Sequence, residues 1–166
     1  MSTPAAEGLF HRNHLVVFRF LRRMTGSASL AEDLTQEVFV RVVRGLDGYV
    51  ERDRERAWIL RVTRNVLMDH HRESRRRPDP APLDDALMAV QPATQGMAAA
   101  LDQALARLPP DEREAFLMRE VAGLGYAEIE GATGGSRNAA ARMRIYRARH
   151  ALRDALPDWR GLRASR

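Results

Sequence analysis

Apolar residues recur every three or four positions over most of the chain, and no stretch sustains an alternation of period two. That periodicity predicts helices and no sheet. Three helices are expected near 8–24, 30–46 and 54–76, and four near 97–107, 111–121, 126–133 and 137–154. Between the groups runs "RRRPDPAPLDDALMAVQPATQG", residues 75–96. Pro78, Pro80, Pro82 and Pro92 interrupt helix there, and each pushes the preceding residue toward extended geometry. The expectation is an all-α protein: two small helical domains, 8–77 and 97–156, joined by a flexible linker at 78–96. "LDDALMAV" reads as a short helical turn inside that linker. The tail 157–166 is basic and too short for a domain, with Trp159 expected to pack back on the last helix.

In "SLAEDLTQEVFVRV", residues 29–42, Ser29 and Glu32 read as an S-x-x-E capping box that starts a helix at residue 30. Leu34, Val38, Phe39, Val42 and Leu46 share one broad arc of this helix, a core face. Asp33, Gln36, Glu37, Val40 and Arg44 share the opposite arc. A solvated face has no need of a valine; a face that docks on another protein does.

The next helix spans "RERAWILRVTRNVLMDHHRESRRR", residues 54–77. Trp58, Ile59, Val62, Val66 and Asp69 follow helical spacing, with Trp58 as a core anchor. Arg61, Arg64, Arg72, Arg75, Arg76 and Arg77 exceed what compensation of a helix dipole requires, and suit phosphate. His70 and His71 are sequence neighbours that diverge by about 100° on a helix, so they read as polar surface rather than metal ligands.

Residues 108–156 carry helix-turn-helix punctuation. Pro109 and Pro110 precede an acidic first turn of Asp111, Glu112 and Glu114, and Leu117 and Val121 continue an apolar stripe. Gly123 and Gly125 break the chain before the short helix "YAEIEGA"; Gly134 and Gly135 turn it again, and Ser136 is placed to cap the last helix. Ala141, Ile145, Ala148 and Leu152 make a narrow inner seam, while Arg137, Arg142, Arg144, Arg147, Arg149 and Arg153 occupy the rest. A small-residue seam under an arginine-rich surface fits a major groove.

Composition sharpens this picture. The 166 residues carry a formal charge of +5, with 45% hydrophobic and 30% charged residues, so the chain is globular and suited to a polyanion. Every cationic contact is a forked one, since all 27 basic residues are arginine. Nine arginines crowd into residues 137–166, whereas residues 78–132 hold ten acidic residues against three arginines. No cysteine is present, which removes disulfides and thiolate-bound zinc. No apolar run nears the roughly 20 residues of a membrane span, and the N-terminus lacks a signal-peptide pattern, so a soluble, cytoplasmic protein is expected.

"AEDLTQEVFVRV" resembles the core-binding helix of bacterial RNA polymerase sigma factors of the sigma-70 family, extracytoplasmic-function (ECF) group. The resemblance implies that Asp33, Gln36, Glu37, Val40 and Arg44 face core RNA polymerase, at the clamp helices of its largest subunit. "WILRVTRN" is similar to that family's W-L-x-x-I-A-x-N, in the helix that recognises the −10 promoter element. Tyr49, Arg61, Arg64, Asn65, Arg72, Arg75 and Arg76 are the implied −10 contacts, and the loop 45–56 the place for a flipped base. Tyr49 either stacks on that base or packs on the helices. "GLGYAEIEGATG" and "RIYRARHALR" resemble the region that reads the −35 element, implying contacts from Arg137, Asn138, Arg142, Arg144 and Arg147. Two departures stand out there: Glu130 replaces a usual small residue after E-I, and Ala139-Ala140-Ala141 replaces G-T-V. The resemblance further implies contact with the flap of the second-largest subunit, and a linker threading toward the polymerase active-site channel, where Asp79, Asp84 and Asp85 mimic nucleic-acid charge. An anti-sigma factor is a common partner in that family, although no residue here identifies one.

The function this implies is promoter recognition, −10 melting and transcription initiation with core polymerase, without a cofactor, a metal or enzyme activity. A stand-alone helix-turn-helix regulator explains residues 108–156 and leaves the N-terminal helices without a role. A nuclease using Glu32 and Asp33, or Asp84 and Asp85, is disfavoured because adjacent carboxylates on a helix diverge.

Overall fold

The computed structural model describes residues 3–49, 54–76, 94–134 and 138–156. They form α1 (Thr3–Thr25), α2 (Ala28–Gly45), a 3₁₀ turn (Leu46–Gly48), α3 (Glu55–Arg76), α4 (Thr94–Arg107), α5 (Pro110–Glu120), α6 (Tyr126–Thr133) and α7 (Asn138–Ala155), with no strand among the described residues. The seven expected helices are therefore present. The readings for "LDDALMAV", the linker aspartates, Ser136 and Trp159 lie outside the described residues.

Three boundaries differ from expectation; α4 begins at Thr94, inside the expected linker 78–96. α1 begins at Thr3, ahead of its first buried position, Leu9. α2 is capped by Ser27 rather than Ser29: Ser27 is extended, and its hydroxyl accepts from the Leu30 N–H at 3.2 Å. The register is set by Gly26, whose φ of 74° ends α1 in the left-handed region, so the next residue becomes the cap. Ser29 and Glu32 are exposed in the first turns of α2.

The first three helices pack as one group. Val17, Phe20 and Leu21 of α1 meet Val38 and Val42 of α2 and Ile59, Leu60 and Leu67 of α3 in a core sealed from solvent. Glu55 opens α3 and ties it to α1: Arg12 holds its carboxylate through both oxygens at 3.1 and 2.8 Å, and buried Asn13 donates to it at 2.6 Å. These donors hold the Glu55 carboxyl below the usual range. Trp58 is half-buried, whereas Thr63 is fully buried and donates its hydroxyl to the Ile59 carbonyl. Asp69 is not a core position: it pairs with Arg41 of α2 at 2.7 Å, and Arg41 also holds Glu37 at 2.7 Å.

In the second group α5 is central. Five consecutive residues, Glu114 to Met118, are buried, so neighbours enclose the helix on several sides. α7 supplies the expected seam: Ala141, Ile145, Ala148 and Leu152 are all sealed from solvent. The alanines let α7 approach α5 closely, the pairing that dominates this half. α6 ends at Gly134, whose φ of 74° admits a left-handed cap before the next helix.

The two groups also pack on each other, α1 against α4 and α5, and α3 against α6.

Candidate nucleic-acid interface

On α2, Asp33, Gln36, Glu37, Val40 and Arg44 are all exposed. Val40 is 43% exposed while its neighbours Val38, Phe39 and Val42 are buried. An apolar side chain is thus held outward on a polar face by a helix whose register is locked by the buried arc. Beside it on α1, Phe10 is exposed and packs edge-on against Phe39 at 4.9 Å.

On α3, Arg61, Asn65, Arg72, Arg75 and Arg76 are exposed along one side, as their spacing requires, and Met68 is exposed among them. Arg72 lies 3.5 Å from Asp69, and Arg75 and Arg76 stand in the last turn of the helix, where positive charge is also favoured by the dipole. His71, exposed beside His70 and Arg75, has its pKa lowered by partial desolvation first and by those charges second, so it stays neutral more readily than an isolated histidine.

Tyr49 and Arg64 behave differently from the rest of this set. Tyr49 stacks on Trp58 with ring centroids 4.5 Å apart and planes inclined by 25°. The two rings, with Arg54 and Arg61, line an open cleft of about 340 Å³ whose far wall is Ala127, Glu128 and Gly131 of α6. Arg64 turns toward α5, its Nε 2.9 Å from the Glu114 carboxylate, an ion pair without an aligned hydrogen bond.

On α7, Arg142 and Arg147 are exposed, but Arg142 lies over the Tyr126 ring at 4.8 Å, a ring that Arg119 also approaches at 5.1 Å. Arg144 is half-buried and faces Asp111 of α5 at 3.9 Å. Asn138 begins the helix, and Arg137 lies outside the described residues. The most outward stripe carries no arginine among its predicted contacts: Met143 is 49% and Tyr146 60% exposed, with His150 packed beside Tyr146. Their position opposite the Ala141–Ile145–Ala148–Leu152 seam was the available signal. Glu130, the departure from the family pattern, is buried; its carboxylate accepts the Ala141 backbone N–H and so caps the first turn of α7.

Among the described residues no three His, Asp or Glu side chains gather as metal ligands, and no helix is long and apolar enough to cross a membrane.

The comparisons with known proteins divide the chain as the helices do. Residues 9–77 match the family model Sigma-70 region 2, and residues 98–152 match Sigma-70, region 4. CarQ, an RNA polymerase sigma factor of Myxococcus xanthus, is 35% identical over 93% of this chain and 90% of its own length. This chain belongs to the sigma-70 family, in its ECF group. The ECF RNA polymerase sigma factor SigE of Mycolicibacterium smegmatis is 37% identical over 92% of this chain, which spans 62% of that relative's length; for SigI of Mycobacterium tuberculosis the span is 52%. Among solved structures, the sigma factor RpoE of Bartonella quintana, determined with the anti-sigma factor NepR, superposes with a TM-score of 0.76 over 96% of this chain and 98% of its own, at 21% identity. In family terms α1–α3 constitute region 2, and α4–α7 constitute region 4 with its helix-turn-helix at α6 and α7.

Proposed function

We propose that the chain is a transcription initiation factor that binds core RNA polymerase and directs it to a promoter. Residues 8–77 bind polymerase and melt the −10 element, 78–96 link, 97–156 hold the −35 element, and the basic tail 157–166 follows. The observation that carries this reading is the α2 face: Asp33, Gln36, Glu37, Val40 and Arg44 stand exposed together on a helix otherwise committed to the core. The α3 stripe of Arg61, Asn65, Arg72, Arg75 and Arg76 serves −10 DNA with Tyr49 and Arg64, and α7 serves the −35 duplex through Arg137, Asn138, Arg142, Arg144 and Arg147. The protein acts in the cytoplasm, without catalysis of its own and without a cofactor. An anti-sigma factor is a further partner, as in the Bartonella quintana complex and in the complex of CnrH with the cytosolic domain of CnrY. The region 2 match supports this reading over a stand-alone regulator, which has no use for α1–α3.

Binding of the labelled chain to bacterial core polymerase tests the reading, with Asp33→Arg/Gln36→Ala alongside. Tight binding lost in the double variant supports it. A folded chain that binds duplex DNA specifically, as a dimer and without polymerase, overturns it.

A further inference from the structure

The guanidinium of Arg41, on α2, is used twice. Its Nε donates to the Glu37 carboxylate, one turn back on the same helix, at 2.7 Å, and its Nη1 donates to Asp69 Oδ2 on α3, also at 2.7 Å. The other Asp69 oxygen lies 3.5 Å from Arg72 Nη1. Glu37, Arg41, Asp69 and Arg72 thus form one chain of alternating charge, running from the outward arc of α2 to the basic stripe of α3. One end belongs to the face proposed for polymerase, the other to the stripe proposed for −10 DNA.

Stability does not account for this arrangement. The Arg41 side chain is 37% exposed, those of Glu37 and Asp69 46% and that of Arg72 68%. Ion pairs so open to water add little to folding, and the buried core already holds α2 against α3. What the pairs fix is direction. A planar guanidinium presents its donors at set angles, so engaging Asp69 with one arm orients the arm that holds Glu37. The Arg41 hydrogen bond also holds the Asp69 carboxyl below its ordinary range, which keeps it charged toward Arg72.

Resting on the sigma-factor reading, we infer that Arg41 is a positioning residue: its fork sets the Glu37 carboxylate on the polymerase-facing arc and sets Asp69, and through it Arg72, on the −10 face, so one side chain keeps the two surfaces of region 2 in register. Each carboxylate carries the effect to a different surface, so the two arms are separable by double-mutant cycles.

The test uses the full chain with Arg41→Gln, Arg41→Lys, Glu37→Ala, Asp69→Ala and the Arg41→Gln pairs with each carboxylate variant. Affinity for core polymerase is measured first, then affinity for a single-stranded −10 oligonucleotide at saturating polymerase. Arg41→Gln should weaken both by about two- to fivefold, the range of an exposed ion pair, with little change in thermal unfolding. Beside Glu37→Ala it should cost no further polymerase affinity, and beside Asp69→Ala no further −10 affinity. Arg41→Lys keeps the charge and lacks the fork, so it should behave like Arg41→Gln. Losses that persist in full beside the carboxylate variants overturn the inference, because Arg41 then acts without them. Full recovery by Arg41→Lys overturns it too, because charge then suffices. An unaltered chain that binds no core polymerase overturns the sigma-factor reading itself, whereas additive losses in a chain that does bind overturn the Arg41 inference alone.

Discussion

The carboxylate of Glu130, on α6, accepts the backbone N–H of Ala141, on α7. One helix of the helix-turn-helix thereby caps the next. The usual small residue at this position cannot reach that N–H, and the run Ala139-Ala140-Ala141 offers no side-chain acceptor of its own. Glu130→Leu is expected to cost about 1–2 kcal/mol, the scale of a lost helix cap. Thermal unfolding checks the cost. Affinity for −35 duplex should fall with it, and Glu130→Gln, which keeps an acceptor oxygen, should recover most of both.

Val40 separates binding from folding. It is the exposed apolar residue of the α2 face, so Val40→Asp should alter stability by no more than about 0.5 kcal/mol. Affinity for core polymerase should nonetheless drop by about tenfold, as for a truncated interface anchor. Equal affinities in a binding titration would remove Val40 from the interface.

The Glu55 carboxyl has its pKa lowered by the Arg12 hydrogen bonds, and by Asn13 and the neighbouring charges after them. Its contribution to stability is therefore present above the unfolded carboxyl range and lost as pH falls through the lower folded value. Glu55→Gln should flatten that acid limb in denaturant titrations at several pH values, with little change in slope above neutrality.

The α3 arginines are predicted to act through phosphate. Arg75→Gln and Arg76→Gln should each reduce the slope of log affinity against log salt for −10 DNA by about 1, with sequence preference unchanged. Asn65→Ala should instead relax base preference and leave the slope alone.

Most of the helical framework was legible because it is local. The α7 seam of Ala141, Ile145, Ala148 and Leu152, and the outward set on α2, follow from a period of 3.6 residues, which any segment of the chain reveals by itself. The α2 cap was misplaced by two residues for the same reason: two serines precede the helix, and only the left-handed turn at Gly26 selects Ser27. The amphipathic pattern also says which side of α7 is buried without saying which neighbour each flank meets, so Arg144 turned toward Asp111 and Arg142 over Tyr126 were not foreseen.

The sequence by itself determined the helices, their buried faces, and the division into two helical groups. Only the tertiary structure decided the state of Glu114 and Arg64. In sequence Glu114 belongs to an acidic first turn that suits a helix N-terminus, and Arg64 to a basic stripe that suits phosphate. Packing of α5 between α7 and region 2 removes the water, and the two charges from opposite halves of the chain then answer each other. Helical period is a property of neighbours along the chain, whereas desolvation depends on which distant surfaces close over a group, and no local pattern encodes that.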